Sequence, residues 1–298
     1  MEFLEEVLDD AQYGSRHGRC TSDAMADLLH SWLLALETPR TAVRILFLDF
    51  RKAFDLVDHN ILLEKVVDLG LPDFLVRWLA SFLHCRQQRV QISSCVQSHW
   101  STVRAGVPQG TLLGPIAFLL HINSLRSSCR AVKYVDDTTV WEACACDGSD
   151  TTLQAAADEV LGWTVANNMQ LNVDKTKELI LCTATSGHTL PPLSLQGQPV
   201  GRVNCFKILG ITVNDKLTWK DHITNIVLKA SKRLYLLCML KRAGLSSNEL
   251  LTIYTAMIRS VLEYGCEIWH PGLTKESGDE LEHVQKRALR IALPNLSY

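Results

Sequence analysis

The chain lacks a long apolar run, an excess of charge of one sign and a paired-cysteine motif. The longest uncharged stretch, between Arg104 and Arg126, is broken by Pro108, Pro115, three glycines, Gln109, His121 and Asn123, which excludes it as a membrane span. The acidic start, MEFLEEVLDDAQYG, is not a signal peptide. Lys and Arg number 30 against 32 Asp and Glu, a formal charge of −2, so overall charge gives no hint of a nucleic-acid partner. Ten cysteines contain no CxxC pair, the closest spacing being Cys144-Ala-Cys146. They read as reduced thiols of an intracellular protein, nuclear or cytoplasmic, and neither a disulfide frame nor a zinc site is expected. A GxxxxGKS/T loop is also missing, which argues against an ATPase.

What is present is 47% hydrophobic residues in 298 positions, enough to bury a core in one or two domains. Apolar residues at Phe3, Leu4, Val7, Leu8 and Ala11 predict a short helix ending by Gly14. Met25, Leu28, Leu29, Trp32, Leu33 and Leu36 predict a second helix over 22–37. The run Val43–Leu48 suits a buried strand with Asp49 at its end. Asp58 reads as the N-cap of a helix that turns Ile61, Leu62, Val66 and Leu69 inward and stops at Gly70. A β-rich segment, 89–98, leads into the Gly/Pro-rich GVPQGTLLGP of 106–115 and an apolar helix through Ile122. Residues 132–135 and 138–141 suit the arms of a hairpin, and a helix over 151–169 precedes strands at 179–182 and 206–213 around a Pro/Gly-rich loop at 186–201. After Trp219 the pattern is helical. Ile223, Ile226, Val227, Ala230, Leu234 and Leu237 form an apolar face, with Lys229, Lys232 and Arg233 as a basic stripe. Ser246 with Glu249, and Ser277 with Glu280, match capping boxes opening two further helices, the second ending before Pro294.

The chemistry begins with carboxylates. Asp49 follows one strand, and Asp136 and Asp137 sit at the tip of a hairpin. Brought to one sheet edge, three such oxygen donors suit Mg²⁺, and a pair of ions there would stabilise the attacking and leaving oxygens of a phosphoryl displacement. Each element alone is equally a solvated turn or a strand-end cap.

The ordered set FLDFRKAFDLVDH (47–59), GVPQGTLLGP (106–115), YVDD (134–137), LNVDKTK (171–177) and FKILGITVNDKLTW (206–219) resembles the palm of reverse transcriptases. QYGSRHGRCTSDAM (12–25), YGCEIWHP (264–271) and LEHVQKRALRI (281–291) extend the likeness to the polymerases of non-LTR, LINE-type retrotransposons of the jockey/CR1/L2 kind. The resemblance implies an α+β right-hand polymerase: an antiparallel palm sheet with helices on one face, partial fingers and a helical thumb. It divides the chain into a residual fingers base (1–40), a palm (41–215) with a fingers insertion at about 84–105, and a thumb (216–298). It implies an N-terminally truncated copy, without the upstream fingers segment, the endonuclease expected ahead of the polymerase or a Cys/His knuckle behind it.

The resemblance makes Asp49, Asp136 and Asp137 catalytic metal ligands for two Mg²⁺ ions, with Mn²⁺ as a substitute. Phe50 and Phe54 fall where the family meets the triphosphate and the sugar. A ring at Phe54 would collide with a ribose 2′-OH and so select dNTPs. Gln109 and Gly110 fall at the nucleotide, and Lys175, or alternatively Lys177, at the departing pyrophosphate. Arg16 and Arg19 are candidate template contacts. Residues 216–298 carry 12 Lys and Arg against 8 Asp and Glu, so the near-neutral whole hides a basic end, with Lys229, Lys232, Arg233, Lys241 and Arg242 as expected phosphate contacts. The implied reaction is RNA-directed DNA synthesis from an RNA template, a DNA primer and dNTPs. The alternative is an idle or co-opted nucleic-acid-binding relic. An RNA-directed RNA polymerase is disfavoured by Phe54 and by Tyr-Val-Asp-Asp in place of Gly-Asp-Asp.

Overall fold

The computed structural model describes residues 2–184, 187 and 189–293. The chain forms two compact units, Met1–Val203 and Asn204–Tyr298.

The first unit opens with α1 (Glu2–Val7) and α2 (Thr21–Leu36), followed by β1 (Thr41–Leu48), α3 (His59–Asp68) and α4 (Asp73–Leu83). Four short strands come next, β2 (Gln87–Gln88), β3 (Gln91–Ser93), β4 (Val96–Gln97) and β5 (Ser101–Thr102). Then follow α5 (Leu113–Ile122), β6 (Arg130–Tyr134), β7 (Asp137–Ala145), α6 (Leu153–Ala166) and β8 (Lys177–Cys182), with β9 (Ser194–Leu195), β10 (Gln198–Pro199) and β11 (Gly201–Arg202) closing the unit. The main sheet runs β11-β8-β1-β7-β6, with antiparallel pairs except β11 on β8. Central β1 is buried from Ala42 to Leu48. Because side chains alternate between faces, both faces of β1 are covered. Leu46 and Leu48 join one hydrophobic core with Leu62, Val66, Phe118, Ile122, Ala156 and Val160 from α3, α5 and α6. The α2 helix packs against β1, β6 and β7.

Sequence logic sets the helix ends. The Asp58 carboxylate accepts from the backbone N–H groups of Asn60 and Ile61, as its N-cap role requires. In α2, Ala24, Met25, Leu28 and Trp32 are buried, but Leu33, expected on the same stripe, is 48% exposed. The first helix stops at Val7, short of Ala11, because Ala11, Gln12 and Tyr13 are taken into backbone pairing with β6. The side chains of Phe3 and Leu4 lie outside the described residues, as do Ser186 of the 186–201 loop and Pro294.

The second unit contains the hairpin β12 (Cys205–Ile208) and β13 (Ile211–Asn214), α7 (Lys220–Arg242), α8 (Ser247–Ile253), a π-helical turn at Tyr254–Arg259, α9 (Ser260–Leu262), α10 (Cys266–Trp269) and α11 (Lys275–Ala292). Its core joins Ala230, Leu234 and Leu237 of α7 to Leu250, Tyr254, Ile258, Val284 and Ala288. The Ser246–Glu249 capping box is present. The second expected box is not: Thr274 caps α11 by accepting from the Ser277 N–H, and Ser277 lies buried inside the first turn. Thr274 opens the helix three residues earlier, which makes Ser277 an N3 residue. The described residues contain no helix long and apolar enough to cross a membrane.

Candidate active-site cleft

Leu48 pairs with Thr138 at the end of the β1–β7 ladder, so Asp49 leaves the sheet at the level of the β6–β7 turn. Val135 occupies that turn at φ +61°, a conformation disfavoured for a β-branched residue. The turn is held from outside the hairpin. The Gln12 side-chain oxygen accepts from the N–H groups of both Gly14 and Val135 at 2.9 Å, and Tyr13 and Ala11 exchange backbone hydrogen bonds with Lys133. A Cβ on Gly14 would meet the Val135 backbone nitrogen at 2.6 Å, so only glycine lets the segment lie this close. Buried Lys133 is itself tied to Asp9 at 2.5 Å.

Asp49 is clamped from the other side. Its carbonyl accepts from the Asn172 N–H at 2.8 Å, and Arg51 donates to the Gln170 carbonyl at 2.8 Å, which brings 170–172 alongside 49–51. The result is a cleft of about 740 Å³ whose lining includes Asp49, Asp136, Phe54, Gln109, Asn172 and Lys175. Partial withdrawal from water, reinforced by the negative charge of Asp49, raises the Asp136 carboxyl above the usual range. Asp137 is raised by the same withdrawal and by the charges of Asp136 and Asp49. Asp137 starts β7 opposite Tyr134 and stands outside the lining of the cleft. Among the described residues no group of three His, Cys, Asp or Glu side chains is arranged to hold a metal ion. Two carboxylates therefore meet in the cleft, with the third beside them.

The remaining expected residues divide as follows. Phe50 is buried and Phe54 half-buried, and the Phe54 ring stacks on fully buried Phe118 of α5 with centroids 4.6 Å apart. The GVPQG segment runs beside them because Val107 donates to the Phe54 carbonyl and Gly106 to that of Val57, each at 2.8 Å. At Gly106, φ is +89° and a Cβ would stand 2.7 Å from the Asp55 carbonyl oxygen, so glycine is required there. Gln109 donates to the Asp55 carboxylate at 3.3 Å, and Gly110 is exposed at φ +76° with open space around it. Lys175 lines the cleft; Lys177 belongs to β8 and lies against Gly201. Arg16 and Arg19 are not free for a template. The Arg16 guanidinium, 7% exposed, binds Glu5 at 2.7 Å, and Arg19 donates to the Asp10 carbonyl at 2.7 Å and covers the Tyr13 ring. In the second unit Lys229, Lys232, Lys241 and Arg242 are exposed, whereas Arg233 donates to the Met257 carbonyl.

Sequence reasoning missed Arg51 and Lys52, which line the cleft with Gln170 and Asn172. Two basic residues in a row, directly beyond the strand-end Asp49-Phe50, were the available signal. Gln12 carried none, because its partner Val135 is 123 positions away.

A sequence profile described as reverse transcriptase (RNA-dependent DNA polymerase) matches residues 1–213. Over 96% of its length the chain is 30% identical to the probable RNA-directed DNA polymerase from transposon X-element of Drosophila melanogaster, covering 32% of that protein. It is 28% identical, again over 96% of the chain and 32% of the relative, to the RNA-directed DNA polymerase from mobile element jockey of the same species. The chain thus spans about a third of the length of these curated relatives. Among solved structures, apo telomerase from Candida tropicalis, truncated from its C-terminal domain, aligns with 73% of this chain and 43% of that one at a TM-score of 0.50 and 13% identity. At that identity the likeness is one of fold.

Proposed function

The chain belongs to the reverse transcriptase family, and we propose that it acts as the RNA-directed DNA polymerase domain of a non-LTR retrotransposon, extending a DNA primer with dNTPs on an RNA template. The convergence of Asp49 and Asp136 on one cleft carries this reading.

The donor set fits a hard divalent cation. Mg²⁺ is commonly held by one or two carboxylates plus substrate phosphates, and here two carboxylates face one space with a third adjacent and all three repel one another. Asp49 and Asp136 would hold Mg²⁺ or Mn²⁺, supported by Asp137. When bound, two such ions neutralise charge on the attacking and leaving oxygens of an in-line displacement at phosphorus. The chain's own residues do the rest. Arg51, Lys52 and Lys175 place positive charge around the cleft where a triphosphate would lie, and Lys175 is the candidate to neutralise departing pyrophosphate. Phe54, braced by Phe118, blocks the position of a ribose 2′-OH. Gln109 and Gly110 border the base, with Phe50 supporting the cleft floor. In this reading residues 1–40 are the fingers base, 41–215 the palm and 216–298 the thumb, whose exposed Lys229, Lys232, Lys241 and Arg242 meet phosphates.

Primer extension on an RNA template with Mg²⁺ or Mn²⁺ and dNTPs is the test. Asp136→Asn should remove several kcal/mol of transition-state stabilisation, a loss of about a hundredfold or more in rate. Equal extension by the parent and the variant would overturn the assignment of the cleft.

A further inference from the structure

Between Asp73 and Asp136 the chain contains no Asp or Glu, and residues 74–105 carry Arg77, Arg86, Arg89 and Arg104. The same stretch leaves aromatic rings in solvent. Of seven tryptophans, Trp78 and Trp100 are the exposed pair, at 55% and 58%, and Phe74, one helical turn before Trp78, is 65% exposed. The rings are ordered with the arginines. On α4, Trp78 stacks on Phe82 at 6.1 Å and 23°, and Arg86 lies over Phe82 at 4.7 Å. On the ribbon, Gln88 pairs with Ser101, and the next residues across, Arg89 and Trp100, stack at 4.6 Å. Phe82 is half-buried against the unit's core and anchors the row.

We propose that α4 and the β2–β5 ribbon form a platform for unpaired nucleic-acid strands, separate from the Asp49–Asp136 cleft. Flat rings offer stacking to any base, and guanidinium planes beside them offer phosphate contacts and cation–π stacking. A duplex hides its base faces within its own stack, so the ligand is a single strand, bound without sequence preference. A protein partner would be served by apolar exposure alone; four arginines with no carboxylate between 74 and 105 favour a polyanion. The platform uses neither Asp49 nor Asp136, so it stands whether or not the cleft extends primers.

The test measures binding of a uridine homopolymer to the full chain by tryptophan emission and by anisotropy of a labelled strand, with a blunt RNA duplex as a second probe. The parent should bind the single strand with quenched emission and prefer it to the duplex. Replacing Trp78 and Trp100 together by Ala should weaken single-strand binding about tenfold or more, and Trp→Phe at both should restore most of it. Arg89→Lys, which keeps charge and loses the plane, should weaken binding without altering the fold and serves if the Ala variant is unstable. Asp136→Asn should bind like the parent while failing to extend primers, which separates this proposal from the reading of the cleft. Unquenched emission in the parent, or Ala and Lys variants that bind as the parent does, would overturn the proposal and leave this face to a protein partner.

Discussion

Phe54 is positioned by a second ring, Phe118, that is wholly buried, so its stance over the cleft is fixed by core packing. Phe54→Val should leave folding intact and raise the use of rNTPs relative to dNTPs by about tenfold or more, measured by competing the two in single-nucleotide extension. An unchanged ratio would show that the ring does not meet the sugar. Arg44 is the other residue whose surroundings decide its role. It interrupts the apolar run of β1, is 1% exposed, and donates to fully buried Glu178 at 2.5 Å; Arg202 reaches the second Glu178 oxygen at 3.0 Å. Removing one partner of a buried pair strands the other charge. Glu178→Ala should therefore cost about 3–5 kcal/mol in urea unfolding, and a loss below about 1 kcal/mol would mean that water reaches Arg44.

At the scale of elements, those with a strong local signature were legible. The β1 strand, the α3 cap, the β6–β7 hairpin around Asp136 and the apolar face of α7 were all expected and are present. The α4 helix was not expected. It buries only Leu79 and Leu83, and Phe74 and Trp78 face solvent, so its apolar pattern does not report a core-facing stripe. The cleft was legible in its carboxylates and in Phe54, whose chemistry sits at the ends of readable strands. Its supports were not: the 170–172 segment acts through backbone pairing that any residue type could provide, and the Gln12 side chain reaches a turn 123 positions away. The α7 helix supplies a test of the basic end. Each phosphate contact contributes about 0.7–0.9 to the slope of log affinity against log salt. Neutralising Lys229, Lys232, Arg233, Lys241 and Arg242 should flatten that slope for a primer–template, with Arg233 contributing least because its guanidinium is engaged with Met257. An unchanged slope removes α7 from the interface.

For the molecule as a whole, each unit carries, among the described residues, one buried histidine that resists protonation. Burial, aided by the charge of Lys65, lowers His121 to about 3, and burial with Lys207 lowers His222 to about 4. The unfolded chain therefore takes up these protons first. The stabilising contribution is complete above about pH 6.5 and is lost as the pH falls from 6.5 toward about 4 for His222 and about 3 for His121. By pH 5 each histidine should have cost about 2 kcal/mol, and His121→Leu should flatten the loss for the first unit; denaturant melts across pH 5–7 check this. The strand-like pairing of residues 11–13 with Lys133 bears on how the molecule is made. The segment that steadies the Asp136 turn leaves the ribosome before the turn does, and its partner follows more than a hundred residues later. The brace on the cleft is thus closed only once the hairpin at 130–145 has been made, and a fragment beginning after Gly14 would keep the carboxylates but lose the brace that aims one of them.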